Sequence, residues 1–315
     1  MKAVLHYRAS TGFRSALDRH AAASNNQAVV VDETDDPGFA REIADADVLL
    51  HVLKPVTPAT IAAGPRLRLI QKLGVGVNTI DLEAAKAAGV AVANMPGTNS
   101  QAVAEMALAL MLAVLRRLSY LDPLTRRGGG WAPEPDLIDG VGEIAGRTVG
   151  FVGYGASASR LGGALQALGA EVIYTANSAK PDAPGRFVTL AELLAQADIV
   201  SLHLPLTAET RGLIDARALA AMRPGAILIN TARGGLVDEA ALVAALQSGR
   251  LRGAGLDVFA EEPVDPANPL LALPNVVLAP HMAWLTPETL ERSLAAAFEN
   301  CRRLATGEPL LNRIV

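Results

Sequence analysis

The sequence predicts an α/β protein of parallel, doubly wound sheets, because short β-branched runs alternate with Ala/Leu-rich helical stretches almost from end to end. The chain has 315 residues, room for two domains of about 150 residues each. Half of it is hydrophobic and 19% is charged, enough apolar surface for two cores. A net charge of −4, no long basic run and 4% aromatic residues argue against a nucleic-acid partner. The apolar run after Met1 is too short for a secretory leader, and no stretch of about 18 unbroken apolar residues is present to cross a membrane. A cytoplasmic location is therefore expected. Cys301 is the only cysteine, so there is no internal disulfide, and no metal-ligand cluster surrounds it.

In the first third, strands are expected at Lys2–Tyr7, Ala28–Asp32, Val48–Leu53, Leu67–Leu73 and Val90–Asn94. Thr57-Pro58 starts a helix, with a hydroxyl cap followed by proline at the first helical position. Met95-Pro96-Gly97 is a breaker cluster that suits a hinge before a long apolar helix, Gln101–Leu118, and a glycine-rich loop at Arg127–Trp131. A second α/β series begins at Thr148 and runs to about Pro280. The helical spacing of Pro287–Arg303 is left over by that series and is expected to return to the first domain. The expected division is 1–97 plus 284–315 for one domain and 98–283 for the other.

Within the second series, an apolar strand from Thr148 leads into Gly153-Tyr154-Gly155-Ala156-Ser157-Ala158 and then a helix, Ser157–Leu168, closed by Gly169. In a dinucleotide-binding turn the first glycine makes the bend and the second lets a pyrophosphate approach the backbone. The third small residue allows close helix–strand packing. The helix N-terminus would face the pyrophosphate, so a nicotinamide dinucleotide is the expected cofactor. A site selective for NAD places Asp or Glu at the end of the next strand, Glu171–Thr175, to accept from the ribose 2′-hydroxyl. Here Ala176 follows instead, and Asn177, Ser178 and Lys180 offer donors to a 2′-phosphate. That favours NADP over NAD, and the same residues also read as plain turn residues of an NAD enzyme. His203-Leu204-Pro205, at the end of another strand of this series, and Thr231-Ala232-Arg233 are further candidate cofactor contacts. His203 reads equally as the cap of its turn.

Three strands of this series end in residues with chemistry to offer: Ala226–Asn230 before Arg233, Gly253–Leu256 before Asp257 and Glu262, and Asn275–Ala279 before His281. The carboxyl ends of the strands form the ligand crevice of an open α/β sheet. A 2-oxo acid carries a carboxylate beside its ketone, and a guanidinium fork grips both oxygens in one plane, a role for Arg233. Hydride delivery leaves an alkoxide that needs a proton, which an imidazole such as His281 supplies. Glu262 is the acid that would hold that imidazole in one tautomer and favour its protonated form. Singly, each residue reads as a surface charge or a turn residue; together and in this order they make a catalytic set. His6 and His51, on first-domain strands, read as packing or edge residues, and His20 as a polar helix face.

These residues resemble the D-isomer-specific 2-hydroxyacid dehydrogenases. The resemblance rests on Gly153-Tyr154-Gly155, His203-Leu204-Pro205-Leu206-Thr207, the Asn230–Asp238 block around Arg233, Leu256-Asp257-Val258-Phe259, Glu262-Pro263 and Pro280-His281, with Lys72–Gly76 and Val103–Glu105 upstream. It implies a Rossmann-type sheet inserted into a discontinuous flavodoxin-like substrate domain, a homodimer, an Arg–Glu–His catalytic set and a D-configured product. It also implies that Asp257 accepts from the nicotinamide carboxamide, and that the backbone of Leu73, Gly74, Val75 and Gly76 holds the substrate carboxylate together with Arg233. Four departures stand out: Ala156-Ser157 where the family often has Arg-Ile, Ala158 for the last fingerprint glycine, Ala176 for the ribose-binding Asp, and Asn78 where Asp is common.

Formate dehydrogenase resembles this outline too, but would call for glutamine at Glu262. Phosphite dehydrogenase fits the outline and stays open as an alternative. Nucleotide-sensing corepressors share the fold, but nothing here supplies an interaction tail and the catalytic set is intact. The chain is too short for the appended regulatory domain of long 3-phosphoglycerate dehydrogenases, so hydroxypyruvate and glyoxylate are the preferred substrates. Leu53–Val56 and Trp284 are candidate pocket walls, and Trp284 reads equally as a packing residue.

Overall fold

A computed structural model describes residues 1–131, 137, 140–181 and 183–315. The chain divides into two compact units, Met1–Asn99 with Trp284–Val315, and Ser100–Ala283.

The first unit is built on strands β1 (Lys2–His6), β2 (Gln27–Val31), β3 (Val48–His51), β4 (Leu69–Lys72) and β5 (Ala91–Ala93), in the order β2-β1-β3-β4-β5 with every pairing parallel. Helices α1 (Thr11–Ala23), α2 (Asp36–Ile43), α3 (Pro58–Ala62) and α4 (Leu82–Ala87) join them. β3 and β4 are buried at every position, as a parallel strand covered on both faces must be. Alternate side chains serve two cores: Leu5, Leu50 and Leu69 on one face, Val4, Leu49 and Ile70 on the other. Thr57 caps α3 through a reciprocal capping box with Thr60, and Pro58 opens the helix, as expected from the sequence.

The second unit opens with α5 (Ser100–Leu115) and α6 (Leu118–Arg126). The sequence suggested one helix through Leu118. It stops at Leu115 because Arg117 takes a left-handed conformation, φ 51°, which turns the chain before a second helix begins. β6 (Thr148–Val152), α7 (Ala156–Ala167), β7 (Glu171–Thr175), β8 (Arg186–Phe187), α8 (Leu190–Gln196), β9 (Ile199–Leu202), α9 (Ala216–Ala221), β10 (Ala226–Asn230), α10 (Glu239–Gln247), β11 (Leu251–Leu256) and β12 (Val276–Leu278) follow. The order β12-β11-β10-β9-β6-β7-β8 is parallel throughout. The chain runs outward from β6 to β8 and then restarts on the other side at β9. The switch point of this Rossmann-like sheet thus lies between β6 and β9, where such sheets bind ligands.

The last helix, α11 (Pro287–Thr306), belongs to the first unit. Thr286 caps it and Pro287 opens it. Leu290, Leu294, Ala297, Phe298 and Cys301 form one apolar stripe in the same core as Phe13 and Leu17 of α1. Its neighbour Asn300, 1% exposed, donates to Gln71 Oε1 at 2.7 Å and accepts from the Leu311 N–H at 2.7 Å. Replacing Asn300 with Ala leaves the buried Gln71 Oε1 and the half-buried Leu311 N–H without this partner. That should lower the urea unfolding midpoint by an amount worth about 1–3 kcal/mol per orphaned group, with an unchanged denaturant slope. An unaltered midpoint would show that this pair does not hold α11.

Candidate active site

The glycine turn after β6 is shaped by what crosses it. Gly153 has φ 87°, and a Cβ there would lie 2.5 Å from the His203 carbonyl oxygen. Only glycine lets the turn pass beneath the chain leaving β9. Gly155 caps α7 without a side-chain hydrogen bond, and a Cβ there would meet nothing within 4 Å. The helix therefore presents its first amides to open space with no protein cap. Ala158 is fully buried, Ser157 is half-buried and Ala156 is exposed. At the end of β7, Ala176 is half-buried while Asn177, Ser178 and Lys180 are exposed. The buried Tyr174 fixes this stretch by accepting the Lys180 N–H at 2.7 Å through its hydroxyl.

His203 and Leu204 are half-buried and Pro205 is exposed. His203 Nε2 lies 2.9 Å from Ser201 Oγ, and its ring meets the edge of Phe151 at 5.3 Å. Burial pushes its pKa down to about 4, so it is neutral near pH 7.

The ends of β10, β11 and β12 carry the remaining groups. Asn230, 1% exposed, folds the first loop on itself: its Oδ1 accepts the Ala232 N–H at 3.0 Å and its Nδ2 donates to the Arg233 carbonyl at 2.9 Å. Thr231 is buried next to it, and its Oγ1 has no partner among the described residues. Arg233 is half-buried and donates from Nη1 to the Ala232 carbonyl at 2.7 Å. Burial lowers its pKa from the ordinary value, and the charge of Glu262 opposes that. At Gly234 a Cβ would sit 1.8 Å from the Phe259 carbonyl oxygen, so the Arg233 loop and the Glu262 loop touch backbone to backbone.

Glu262 Oε1 accepts the Phe259 N–H at 3.0 Å and Oε2 lies 2.6 Å from His281 Nδ1. The side chains of His281 and Glu262 are 22% and 33% exposed. Burial works against the Glu262 carboxylate, but the hydrogen bonds from His281 and Phe259 and the charges of His281 and Arg233 outweigh it and hold its pKa below the ordinary value. His281 is itself left-handed, φ 54°. Its N–H donates to the Asp257 carbonyl at 2.7 Å, and the Asp257 carboxylate accepts the N–H groups of Met282 at 2.8 Å and Ala283 at 2.9 Å. Asp257 is fully buried and burial raises its pKa, against the pull of those two amides. Arg233, Glu262 and His281 are thus drawn together by their loops. Near-neutral pH leaves an ionised acid against an imidazole, with a guanidinium on the adjoining loop.

In the first unit, Leu73 is buried and the turn after β4 is pinned by carbonyls: Gly74 O accepts the Met95 N–H at 2.9 Å and Val75 O accepts Asn94 Nδ2 at 2.8 Å. Among the described residues, the N–H groups of Val75 and Gly76 donate to no protein acceptor. The remaining histidines lie elsewhere. His6 stacks on Phe39 at 3.9 Å, His20 pairs with Glu291 at 2.9 Å, and His51 donates to the Lys54 carbonyl, its pKa pushed down to about 3 by burial and the nearby Lys72 charge. Trp284 packs on the first unit's core.

Three supporting residues were not singled out from the sequence. Asn230 had a visible signal, since an Asn at a strand end commonly bonds its own following backbone. Tyr174 and Glu239 had none. Glu239 accepts the Ala260 N–H at 3.0 Å and Asn268 Nδ2 at 2.6 Å, holding the Glu262 loop from α10.

Residues 108–283 match the family model described as D-isomer specific 2-hydroxyacid dehydrogenase, NAD binding domain. The chain is 42% identical over 283 residues to a glyoxylate reductase of Aeropyrum pernix, covering 86% of this chain and 84% of that protein. It is 33% identical over 307 residues to a hydroxypyruvate reductase of Blautia hydrogenotrophica, covering 93% and 94%. A solved structure of a Thermus thermophilus protein superposes with a TM-score of 0.90 at 37% identity, covering the whole of both chains. No helix of the described residues is long and apolar enough to cross a membrane.

Gly234→Ala should separate the two loops, because the Phe259 peptide has nowhere to move without displacing Glu262. Expected is a protein with near-normal dinucleotide affinity and turnover lower by at least about tenfold, read by cofactor fluorescence titration and steady-state kinetics. Unchanged turnover would show that the loop contact does not set the site. The acid limb of stability follows the direction of the Glu262 shift. Ionised Glu262 stabilises the fold fully above the unfolded carboxylate pKa, and that contribution is lost as pH falls through its lower folded pKa. Glu262→Gln should therefore flatten the fall in melting temperature in that acid window; an unchanged slope would show that the pair adds nothing.

Proposed function

Because the chain belongs to the D-isomer specific 2-hydroxyacid dehydrogenase family, we propose that it reduces hydroxypyruvate to the D-2-hydroxy acid, or glyoxylate to its achiral 2-hydroxy acid, with NADPH favoured over NADH. The observation that carries the reading is the 2.6 Å contact between Glu262 and His281, joined through Gly234 to the loop of Arg233. The names of the relatives, a glyoxylate reductase and a hydroxypyruvate reductase, support the substrate class.

The residues fit a nicotinamide dinucleotide. The uncapped start of α7 and the open space over Gly155 suit its pyrophosphate, with Ala156 and Ser157 against it. Asn177, Ser178 and Lys180 serve the adenosine ribose end, and the absence of a carboxylate from Ala176 to Lys180 supports the NADPH preference. His203, Leu204, Pro205 and Ala232 border the turn, and the orphaned Thr231 Oγ1 awaits a polar partner. Asp257 keeps lone pairs beyond its two amide bonds for the carboxamide. When bound, the cofactor supplies the hydride for reduction.

The chain's own residues do the rest. Arg233 grips the carboxylate and ketone oxygens of the substrate and orients the carbonyl. The amides of Val75 and Gly76, which donate to no acceptor among the described residues, with Leu73 and Gly74 shaping their turn, bind carboxylate. Glu262 accepts the hydrogen bond of the His281 Nδ1–H, which orients the ring and favours its protonated form, so that Nε2–H delivers the proton to the developing alkoxide and the neutral Nδ1–H tautomer remains. Asp257 positions His281 from behind. The working form is a cytoplasmic homodimer.

Purified protein with NADPH and NADH side by side tests this. Rapid reduction of hydroxypyruvate or glyoxylate with NADPH is expected. Turnover with NADH alone would overturn the cofactor preference, and silence on both oxo acids while phosphite is oxidised would overturn the substrate class. His281→Ala should cut reduction by more than about a hundredfold, and a near-normal rate would remove it from the mechanism. Arg233→Lys should fail to restore activity, because an ammonium cannot copy the bidentate fork; wild-type kinetics would place the substrate carboxylate elsewhere.

A further inference from the structure

Three arginines gather where the strands of the second unit begin, at the end of the sheet opposite the glycine turn and the catalytic loops. Arg117 follows α5, Arg147 precedes β6 and Arg252 is the second residue of β11. They surround or adjoin a cavity of about 210 Å³ lined by Val114, Arg117, Ser119, Gly140, Arg252 and Asn275. Two glycines let them crowd. A Cβ on Gly140 would lie 2.9 Å from Arg117 Nη1, and one on Gly142 would lie 2.5 Å from Arg147 Nη2 and 3.6 Å from Arg252 Nη1.

All three are half-buried, yet their partners are neutral. Arg252 donates to the Gly140 carbonyl, Arg147 donates to the Glu143 carbonyl at 2.5 Å, and Arg117 lies 5.0 Å over the Tyr120 ring. Among the described residues none of the three is paired with a carboxylate. Burial and the charges of Arg147 and Arg117 pull the Arg252 guanidinium below its ordinary pKa. Carbonyls and a ring satisfy some of the N–H groups but, among the described residues, leave three like charges uncompensated in partly desolvated surroundings, which is unfavourable unless an anion joins them. Guanidinium forks match the spacing of phosphate oxygens, and more than one fork converging on a cavity selects an anion with several oxygens and more than one charge.

We propose that this cavity binds a small phosphate-type oxyanion, at a site separate from the dinucleotide site. The site is formed by the starts of β11 and β12 and the end of α5, and nothing in the catalytic chemistry uses these residues.

The test is isothermal titration of the full chain with inorganic phosphate, and then with pyrophosphate, at constant ionic strength. Saturating NADPH keeps the dinucleotide site filled. Saturable binding is expected, weakened at least about tenfold by Arg252→Met and again by Arg147→Met. Oxo-acid turnover by these variants should be unchanged. On the unaltered protein, phosphate should raise the melting temperature more than chloride at equal ionic strength, a reading that needs no variant to fold. Absent binding, binding displaced by NADPH, or binding indifferent to both substitutions would each overturn the proposal. Loss of self-association in the variants, with no phosphate binding by the parent, would instead mean that the arginines seat carboxylates of a second copy.

Discussion

Asp257 is fully buried, and three consecutive amides converge on it: His281 on its carbonyl, Met282 and Ala283 on its carboxylate. Burial raises its pKa, and the two amide bonds are what keep an ionised form tolerable there. In return the carboxylate fixes the backbone after β12. A non-glycine residue in the left-handed region costs about 1–3 kcal/mol and persists only where its surroundings over-determine it. His281 is such a residue, and the Asp257 contacts supply that over-determination. The direction in which the imidazole leaves the chain therefore depends on a neighbouring strand rather than on the residues around His281.

The second constraint is a contact in which neither side has a side chain. Gly234 lies so close to the Phe259 carbonyl that any substituent is excluded. This pins the Arg233 loop to the loop that carries Glu262, while Asn230 braces the first loop from within and Glu239 braces the second from α10. Arg233 and Glu262 then influence each other's ionisation through space: the Glu262 charge opposes the lowering that burial imposes on Arg233, and the Arg233 charge is one of the causes that lower Glu262. Side chains on separate loops act as one unit because main chain, the least adjustable part of the protein, sets their spacing.

Much of this was legible in the sequence, for a definite reason. Parallel strands buried on both faces leave unbroken apolar runs, so Glu171–Thr175 and Ala226–Asn230 were read at the bounds the structure gives them. The Gly153 turn was readable because its bend demands glycine whatever lies around it. The break after Leu115 was not, since Leu118 continues the apolar spacing and nothing local marks Arg117 as left-handed. Glu239 and Tyr174 were invisible for a related reason. Their partners include backbone amides 21 and 6 residues away, and main-chain partners leave no trace in residue type. The sequence shows which side chains have chemistry; it says little about which ones hold them still.

The two histidines at strand ends of the second unit show how far surroundings decide function. His203 and His281 each follow an apolar strand, and by residue type either one would serve as an acid. His203 has a hydroxyl partner and an aromatic edge, neither of which stabilises charge, and its pKa of about 4 leaves it neutral across the physiological range. His281 has an ionised carboxylate at 2.6 Å, itself held ionised by the Phe259 amide and the Arg233 charge. A proton placed on the first imidazole has no counter-charge, whereas one on the second is shared within a pair. Of the two, His281 has a carboxylate counter-charge and His203 has none, so the same residue type at two strand ends meets opposite electrostatic surroundings.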